Sequence, residues 1–171
     1  MCAVMQRFVL AVLSSMIVSG VVVAEEPQER PLFPEVTFTA LDGQTTMTMS
    51  EFRGRPVLVT FWASWCGPCR VELPELSKLY GELAGTGFVL ITVNVDLNPV
   101  AGRQFLERLG LKLPVYRLQP METKRLGINA LPTNILLDTE GRLVRAYKGY
   151  EPQVVEEVRQ MVVDMTAATE P

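Results

Sequence analysis

The strongest constraint on the fold is a nearly unbroken apolar stretch at residues 56–63, in which Thr60 is the one polar residue. A strand exposed on one face alternates apolar and polar residues, whereas this stretch is apolar at successive positions. It therefore predicts a strand that is covered on both faces, as at the centre of an α/β sheet. We expect helices to pack on both sides of a sheet built around this strand.

Strands and helices alternate along the rest of the chain. Further strands are predicted at 36–39, 45–49, 88–95, 115–118, 133–137 and 143–147. Helices are predicted directly after Cys66, at 99–109, as a short turn at 123–126, and at 151–165. Turn sequences at Asp42-Gly43 and at 138–141 join the first two and the last two strands as hairpins. Because the last hairpin is antiparallel, the predicted α/β sheet is mixed.

The N-terminal residues have the pattern of a secretory signal peptide. Arg7 is followed by an uncharged, mostly apolar run at 8–24 that ends in Val-Val-Ala. We expect cleavage after Ala24. The alternative is an uncleaved membrane anchor, since the run lies at the lower edge of the roughly 17–25 residues that span a bilayer. Both readings place the rest of the chain outside the cytoplasm.

Behind this leader, residues 25–34 contain three prolines and predict a linker, and 35–168 predict one folded domain. Cys2 lies in the leader, so the exported chain keeps two cysteines, Cys66 and Cys69. A single close pair does not fit a scaffold held together by several disulfides.

Composition removes several classes of function. None of the 171 residues is histidine, which excludes Ser-His-Asp and Cys-His catalytic pairs, histidine-ligated haem and Cys/His zinc sites. The formal net charge is −3 and there is no basic cluster, so nucleic acid is not an expected partner.

The two cysteines lie where the covered strand turns into the following helix. Gly67 allows the tight turn, and Pro68 is tolerated in the first helical turn, where an N–H has no partner. A thiolate at a helix N-terminus meets free N–H groups and the positive end of the helix dipole, which lowers its pKa. Thiol–disulfide exchange needs this property, because only the thiolate attacks. A structural disulfide, or a metal site completed by other ligands, is the alternative.

Helical periodicity separates the two sulfurs. An apolar stripe runs along the helix at Leu73, Leu76, Tyr80 and Leu83. Cys69 falls at its centre and is expected to be buried, whereas Cys66 falls at the exposed end.

Glu72 projects about 60° from the centre of this stripe and is therefore expected at its rim. A carboxylate at this position has two readings. It either takes a raised pKa and carries the proton of a buried thiol, or it merely favours the helix dipole.

Three stretches resemble the thioredoxin superfamily, and specifically its exported TlpA/ResA-like branch: FWASWCGPC at 61–69, ELP at 72–74 and GINALPT at 127–133. The resemblance covers residues 31–165. It implies a thioredoxin fold, with a central mixed β-sheet flanked by helices, an N-terminal β extension and a central helix–strand insertion.

The resemblance also implies roles for individual residues. Cys66 is the implied nucleophile and Cys69 the implied resolving thiol. Leu131-Pro132 is the implied cis peptide facing the active site, and the substrate is expected to contact Leu131, Trp65, Gly67 and Pro68. No cofactor is implied.

One position departs from thioredoxin itself. Six residues before the nucleophile thioredoxin has a buried aspartate, and this chain has Thr60. The resemblance to the TlpA/ResA-like branch assigns the proton-handling role to Glu72 instead.

The expected function is an exported thiol–disulfide oxidoreductase. The Gly-Pro dipeptide between the cysteines, which thioredoxin shares, favours the reducing direction. Expected partners are proteins with reducible disulfides and a membrane donor of the thiol–disulfide type. Relatives reduce the haem-binding cysteines of apocytochrome c or the cysteines of copper sites, and the sequence does not choose between these substrates.

Three alternatives stay open. One is a Cu(I)-binding module that would use the cysteines and methionines such as Met47 and Met49, since thiolate and thioether are soft ligands. Another is a redox-inactive binding module of thioredoxin fold. The third is a thiol peroxidase.

The first testable prediction concerns the leader. N-terminal sequencing of the exported protein is expected to start at Glu25, because the apolar run ends in small residues directly before it. An intact leader recovered in the membrane fraction would establish the anchor instead.

Overall fold

The computed structural model describes residues 29–167, so Cys2, the leader and its predicted cleavage site lie outside the described residues. Its strands are β1 (Thr37–Ala40), β2 (Thr46–Thr48), β3 (Val57–Trp62), β4 (Val89–Asn94), β5 (Val115–Arg117), β6 (Thr133–Leu137) and β7 (Leu143–Lys148). Its helices are α1 (Gly67–Glu82), α2 (Pro99–Leu109), α3 (Pro120–Arg125) and α4 (Val154–Ala167), and a 3-10 turn spans Met49–Phe52.

The seven strands form one mixed sheet in the order β2-β1-β5-β4-β3-β6-β7. The covered strand β3 lies inside it, parallel to β4 and antiparallel to β6. The β1–β2 hairpin forms one edge as the N-terminal extension, and α2 with β5 forms the insertion after β4. The predicted α/β thioredoxin fold is confirmed.

Both faces of β3 are covered, as its apolar sequence predicts. Leu58 on one face packs with the apolar sides of α1 and α4. Val59 and Phe61 on the other face pack with the N-terminal segment, including Phe33 and Phe38. Trp62, at the end of β3, packs against Phe105 of α2, with ring centroids 5.7 Å apart. The carboxyl end of β3 is thus buried among apolar side chains, including those of α2.

Helix α4 begins at Val154 rather than at 151. Two other differences from the predicted elements occur where capping sets the boundary. Helix α3 begins at Pro120 rather than at 123, because a proline suits the first helical position and Glu122 accepts a hydrogen bond from the N–H of Gln119 at 3.2 Å. The 3-10 turn after β2 was not predicted. There Glu51 accepts a hydrogen bond from the N–H of Thr48 at 2.8 Å.

The last part of the predicted linker is attached to the domain. Leu32 forms an isolated β-bridge with Arg142, and the N–H of Phe33 donates to the carbonyl of Gly141 at 2.9 Å. The Phe33 side chain is buried in the core. Burial of this aromatic ring explains why the segment packs instead of extending into solvent.

Within residues 29–167, no helix is both long and apolar enough to cross a membrane.

The packing of α2 generates a stability prediction. A Cβ atom at Gly102 would lie 2.7 Å from the side chain of Asn94, which is buried and donates a hydrogen bond to Asp96. Gly102→Ala is therefore expected to lower the free energy of unfolding by about 1–3 kcal/mol through overpacking. Urea denaturation measures the change.

Gly81→Ala is the matched control. This glycine also lies in a helix, and nothing lies within 4 Å of its added Cβ. The control is expected to raise the free energy of unfolding by about 0.5–1 kcal/mol through helix propensity. Equal effects of the two substitutions would contradict the predicted clash.

Candidate active site

The two cysteines lie at the junction between β3 and α1 and form a disulfide. The N–H of Cys66 donates to the carbonyl of Ala63 at 3.1 Å and closes a tight turn after the strand. Cys66 is the N-cap of α1, and its Sγ accepts a hydrogen bond from the N–H of Cys69 at 3.2 Å. The sulfur of Cys66 thus occupies the position where a helix N-terminus stabilises a negative charge.

Cys69 is fully buried, as the helical stripe predicts. The expectation that Cys66 lies at an exposed end is corrected, since only 5% of Cys66 is exposed. Both cysteines belong to an apolar cluster with Trp62, and Leu131 packs against that cluster. Helical periodicity along α1 gives no information on the loop that carries Leu131, which packs against the cluster that contains Cys66.

The remaining surface of Cys66 opens into a cleft of about 480 Å³. The cleft is lined by Trp65, Cys66, Gly67, Pro68, Val95, Thr123, Ile128, Asn129, Ala130 and Leu131. Apart from the cysteine, none of these side chains is ionisable. Trp65 is 72% exposed and forms an apolar rim beside Cys66.

The predicted substrate-contacting residues Trp65, Gly67, Pro68 and Leu131 all line this cleft. The Leu131–Pro132 peptide bond is cis, in agreement with the family resemblance. Sequence reasoning missed Val95 as a wall of the cleft. A signal for it existed, because Val95 directly follows β4, and parallel strands bring their carboxyl ends to the same edge of the sheet.

The loop before Cys66 is held by a buried carboxylate that sequence reasoning also missed. Asp96 accepts hydrogen bonds from the N–H of Ser64 at 2.9 Å and from its hydroxyl at 3.0 Å. The amide of Asn94 donates to the same carboxylate at 2.8 Å. Asp96 thereby fixes the position of the turn that presents Cys66.

Glu72 is more deeply buried than predicted. The expected rim position is corrected to a core position, because only 1% of Glu72 is exposed. Its Oε1 accepts a hydrogen bond from Nδ2 of Asn134 at 2.8 Å. Periodicity gives the direction of a side chain from the helix but not the width of the sheet below, and β6 supplies the polar partner that permits burial.

Burial raises the pKa of the Glu72 carboxyl from its ordinary 4.5 to about 7. The hydrogen bond from Asn134 opposes this rise, and the charge of Glu75 adds to it. Glu72 follows Cys69 by three residues, so the two side chains lie on neighbouring turns of α1. The site therefore combines a buried sulfur with a buried carboxyl that titrates near neutral pH.

Within the described part of the chain, no group of three or more Cys, Asp or Glu side chains is arranged to hold a metal ion.

Comparison with known proteins gives a consistent result. The family model described as Redoxin matches residues 28–162. The thiol-disulfide oxidoreductase ResA of Bacillus thuringiensis subsp. konkukian is 32% identical over 117 residues, which cover 68% of this chain and 67% of ResA. ResA of Halalkalibacterium halodurans is 32% identical over 124 residues, which cover 71% of this chain and 70% of that protein.

Solved structures resemble the whole domain. The thioredoxin domain of a thiol-disulfide oxidoreductase from Bacteroides vulgatus has a TM-score of 0.68 and 26% identity, and it covers 80% of this chain and 99% of its own. A thiol:disulfide interchange protein from Bacteroides sp. has a TM-score of 0.69 and 25% identity, covering 83% of this chain and 92% of its own.

The buried carboxyl generates a prediction for stability against pH. Because the pKa of Glu72 is higher in the folded state, the folded protein binds an extra proton between pH 4.5 and about 7. The free energy of unfolding is therefore expected to fall as the pH rises through this window, by about 3 kcal/mol in total from this group. Urea midpoints measured across the window test this.

Glu72→Gln is expected to remove this part of the pH dependence. Glu107→Gln is the matched control, because Glu107 is an exposed helical glutamate on α2. Parallel stability curves for the Glu72→Gln variant and the unmodified protein would show that Glu72 titrates normally.

Proposed function

This chain belongs to the Redoxin family and is a thiol–disulfide oxidoreductase, and we propose that it works as an exported reductant of protein disulfides. The observation that carries this proposal is the arrangement of the cysteine pair. Cys66 opens into an uncharged cleft, whereas Cys69 lies behind it without any exposed surface. Such a pair can attack a substrate from the outside and resolve the product from the inside.

In the proposed cycle the reduced Cys66 thiolate attacks one sulfur of a substrate disulfide. A bond forms between Cys66 and that sulfur, the substrate disulfide breaks, and the second substrate sulfur leaves as a thiolate. Cys69 then attacks Cys66, which forms the Cys66–Cys69 disulfide and releases the first substrate sulfur. Two electrons pass to the substrate, and an external dithiol must restore the reduced pair.

The position of each sulfur supports this order of attack. Cys66 Sγ lies at the N-terminus of α1, where the N–H of Cys69 points at it over 3.2 Å. The same N–H group can stabilise a thiolate on Cys66. Cys69 is enclosed by apolar side chains, which disfavour its thiolate until a base removes the proton.

Glu72 is the proposed base for this second step. Its pKa of about 7 means that both protonation states are populated at neutral pH, which suits a group that takes and returns a proton. Thr60, which stands where thioredoxin has an aspartate, is buried beside this region and does not titrate in the neutral range. The alternative, in which Glu72 merely favours the helix dipole, has lost support because the side chain is buried.

The cleft fits a polypeptide substrate held without charge pairs. Trp65 and Leu131 offer apolar surface in the cleft that Cys66 lines, and Gly67 and Pro68, which also line it, carry no charge. We propose that the backbone at Leu131 binds an extended substrate segment, with Pro132 shaping that loop. Recognition through backbone and apolar contacts would allow substrates of varied sequence.

The leader supports action outside the cytoplasm, where an upstream membrane thiol–disulfide donor would recharge the pair. The named ResA relatives are thiol-disulfide oxidoreductases. By resemblance to the TlpA/ResA-like branch, the proposed substrates are apocytochrome c or copper-site cysteines. The Cu(I)-binding alternative has less support, because Met49 is buried in the core on the opposite face of the sheet from Cys69.

Two cysteine variants test the proposed cycle. With dithiothreitol as donor, the mature protein is expected to accelerate insulin reduction, and Cys66→Ser is expected to return the rate to background because the nucleophile is lost. Cys69→Ser is expected to accumulate a mixed disulfide through Cys66, since no thiol resolves it. Mass spectrometry of the trapped peptide identifies the cysteine.

Ser77→Ala, on the same helix but outside the cleft, is the control and is expected to keep full activity. Undiminished turnover by Cys66→Ser, or a substrate trapped on Cys69 in the unmodified protein, would reject the assigned order.

A further inference from the structure

Among residues 29–167, the side chain of Asn134 is the one hydrogen-bond partner of the Glu72 carboxyl. Asn134 is fully buried, and its Nδ2 donates to Oε1 of Glu72 at 2.8 Å. Its carbonyl oxygen, Oδ1, is also buried but has no hydrogen-bond partner among the described residues. The amide therefore donates to Glu72 while its acceptor oxygen stays without a partner. A buried polar atom without a hydrogen-bond partner is unusual.

A carboxyl group changes its hydrogen-bonding needs when it takes up a proton. The ionised form only accepts, whereas the protonated form also donates one O–H. A primary amide has a donor and an acceptor at nearly equivalent positions, and a half-turn about its terminal torsion exchanges them. An amide beside a titrating carboxyl can thus serve both forms without moving its backbone.

We propose that Asn134 is a positioning residue that holds Glu72 in both of its protonation states. It donates Nδ2–H to the carboxylate and, after a half-turn of the amide, accepts the carboxyl O–H at Oδ1. This inference rests on the proposed role of Glu72 as the base for Cys69. In that step Cys69 loses a proton and Glu72 gains it, while Asn134 gains and loses none.

The backbone of Asn134 is held in place by the sheet, so that its side-chain amide can turn while its backbone stays fixed. Asn134 lies in β6 between two antiparallel neighbours, opposite Thr60 of β3 and Tyr147 of β7. Strands on both sides leave the side-chain torsions as the main freedom of this residue. Directly opposite residues share one face of the sheet, so Thr60 lies on the same face, and its hydroxyl is likewise buried without a partner in the described structure.

The groups around Glu72 determine in which direction its pKa changes when the Asn134 amide is removed. Glu75 on α1 acts on Glu72 through its charge, and Tyr150, in the segment before α4, is electrostatically coupled to Glu72 and Glu75. The two cysteines precede Glu72 on α1. Burial and Glu75 raise the pKa of Glu72, and the Asn134 hydrogen bond lowers it. Removal of the amide is therefore expected to raise this pKa further.

The test follows the resolving step against pH in single-turnover stopped-flow experiments. Reduced protein reacts with a symmetric chromogenic aryl disulfide, so that the first thiol released reports attack by Cys66 and the second reports resolution by Cys69. The second rate is expected to rise with pH as Glu72 ionises. In Asn134→Leu this rise is expected to move up by about one pH unit, because the charge-assisted hydrogen bond lost from the carboxylate is stronger than the neutral one lost from the protonated carboxyl.

At pH 6 the second rate in Asn134→Leu is then about tenfold lower, since tenfold less Glu72 is ionised. At the alkaline plateau the rate is unchanged. Asn134→Thr, whose hydroxyl can both donate and accept, is expected to restore part of the shift. Ile135→Val, which alters the same strand on the opposite face, is the control and leaves the profile in place. If Asn134→Leu does not fold, Asn134→Ala carries the same prediction.

Glu72→Gln separates this inference from the proposed function. An unaltered profile in Glu72→Gln would reject Glu72 as the base, and with it the premise. An altered profile in Glu72→Gln together with an unaltered one in Asn134→Leu would reject Asn134 alone. Equal slowing at every pH, or a shift that persists when both substitutions are combined, would also overturn the inference.

Discussion

The hydrogen bond from the N–H of Cys69 to Sγ of Cys66 is the contact on which the arrangement of the site depends. It forms because β3 ends in a tight turn and α1 begins at once, with Cys66 as its N-cap. The apolar side of α1 then packs on the sheet and takes Cys69 and Glu72 into the core. One strand–helix junction thus gives one sulfur access to the cleft and removes the other sulfur and the carboxyl from solvent.

This junction also sets the electrostatics of the site. The helix N-terminus favours a thiolate on Cys66, whereas burial and a nearby carboxylate disfavour one on Cys69. Burial of Glu72 lowers the stability of the folded protein above pH 7, because the carboxyl is then ionised in the core. The same burial provides a group that titrates in the pH range of the proposed proton transfer. Asn134 and Asp96 then hold, respectively, the carboxyl and the loop in front of Cys66.

Local signals in the sequence predicted most of the fold. The apolar run at 56–63 predicted β3, and helix α2 has the predicted bounds because Asn98 caps its start and Gly110 its end. The position of the cysteine pair at a strand–helix junction could also be predicted, because it depends on residues that are close in the sequence. The partners of Glu72 and Ser64 could not, because Asn134 and Asp96 lie 62 and 32 residues away from them. Periodicity along one helix carries no information on such contacts, and for that reason it underestimates the burial of both Glu72 and Cys66.

The proposed role as a reductant depends most directly on the reduction potential of the Cys66–Cys69 pair. Equilibration of the purified protein with a glutathione or dithiothreitol redox buffer at pH 7 measures it. Burial of Cys69 on the same helix as the Glu72 carboxyl destabilises the Cys69 thiolate and so favours the disulfide. A value near that of thioredoxin, about −270 mV, is therefore expected. A value near that of the oxidant DsbA, about −120 mV, would contradict the assigned direction.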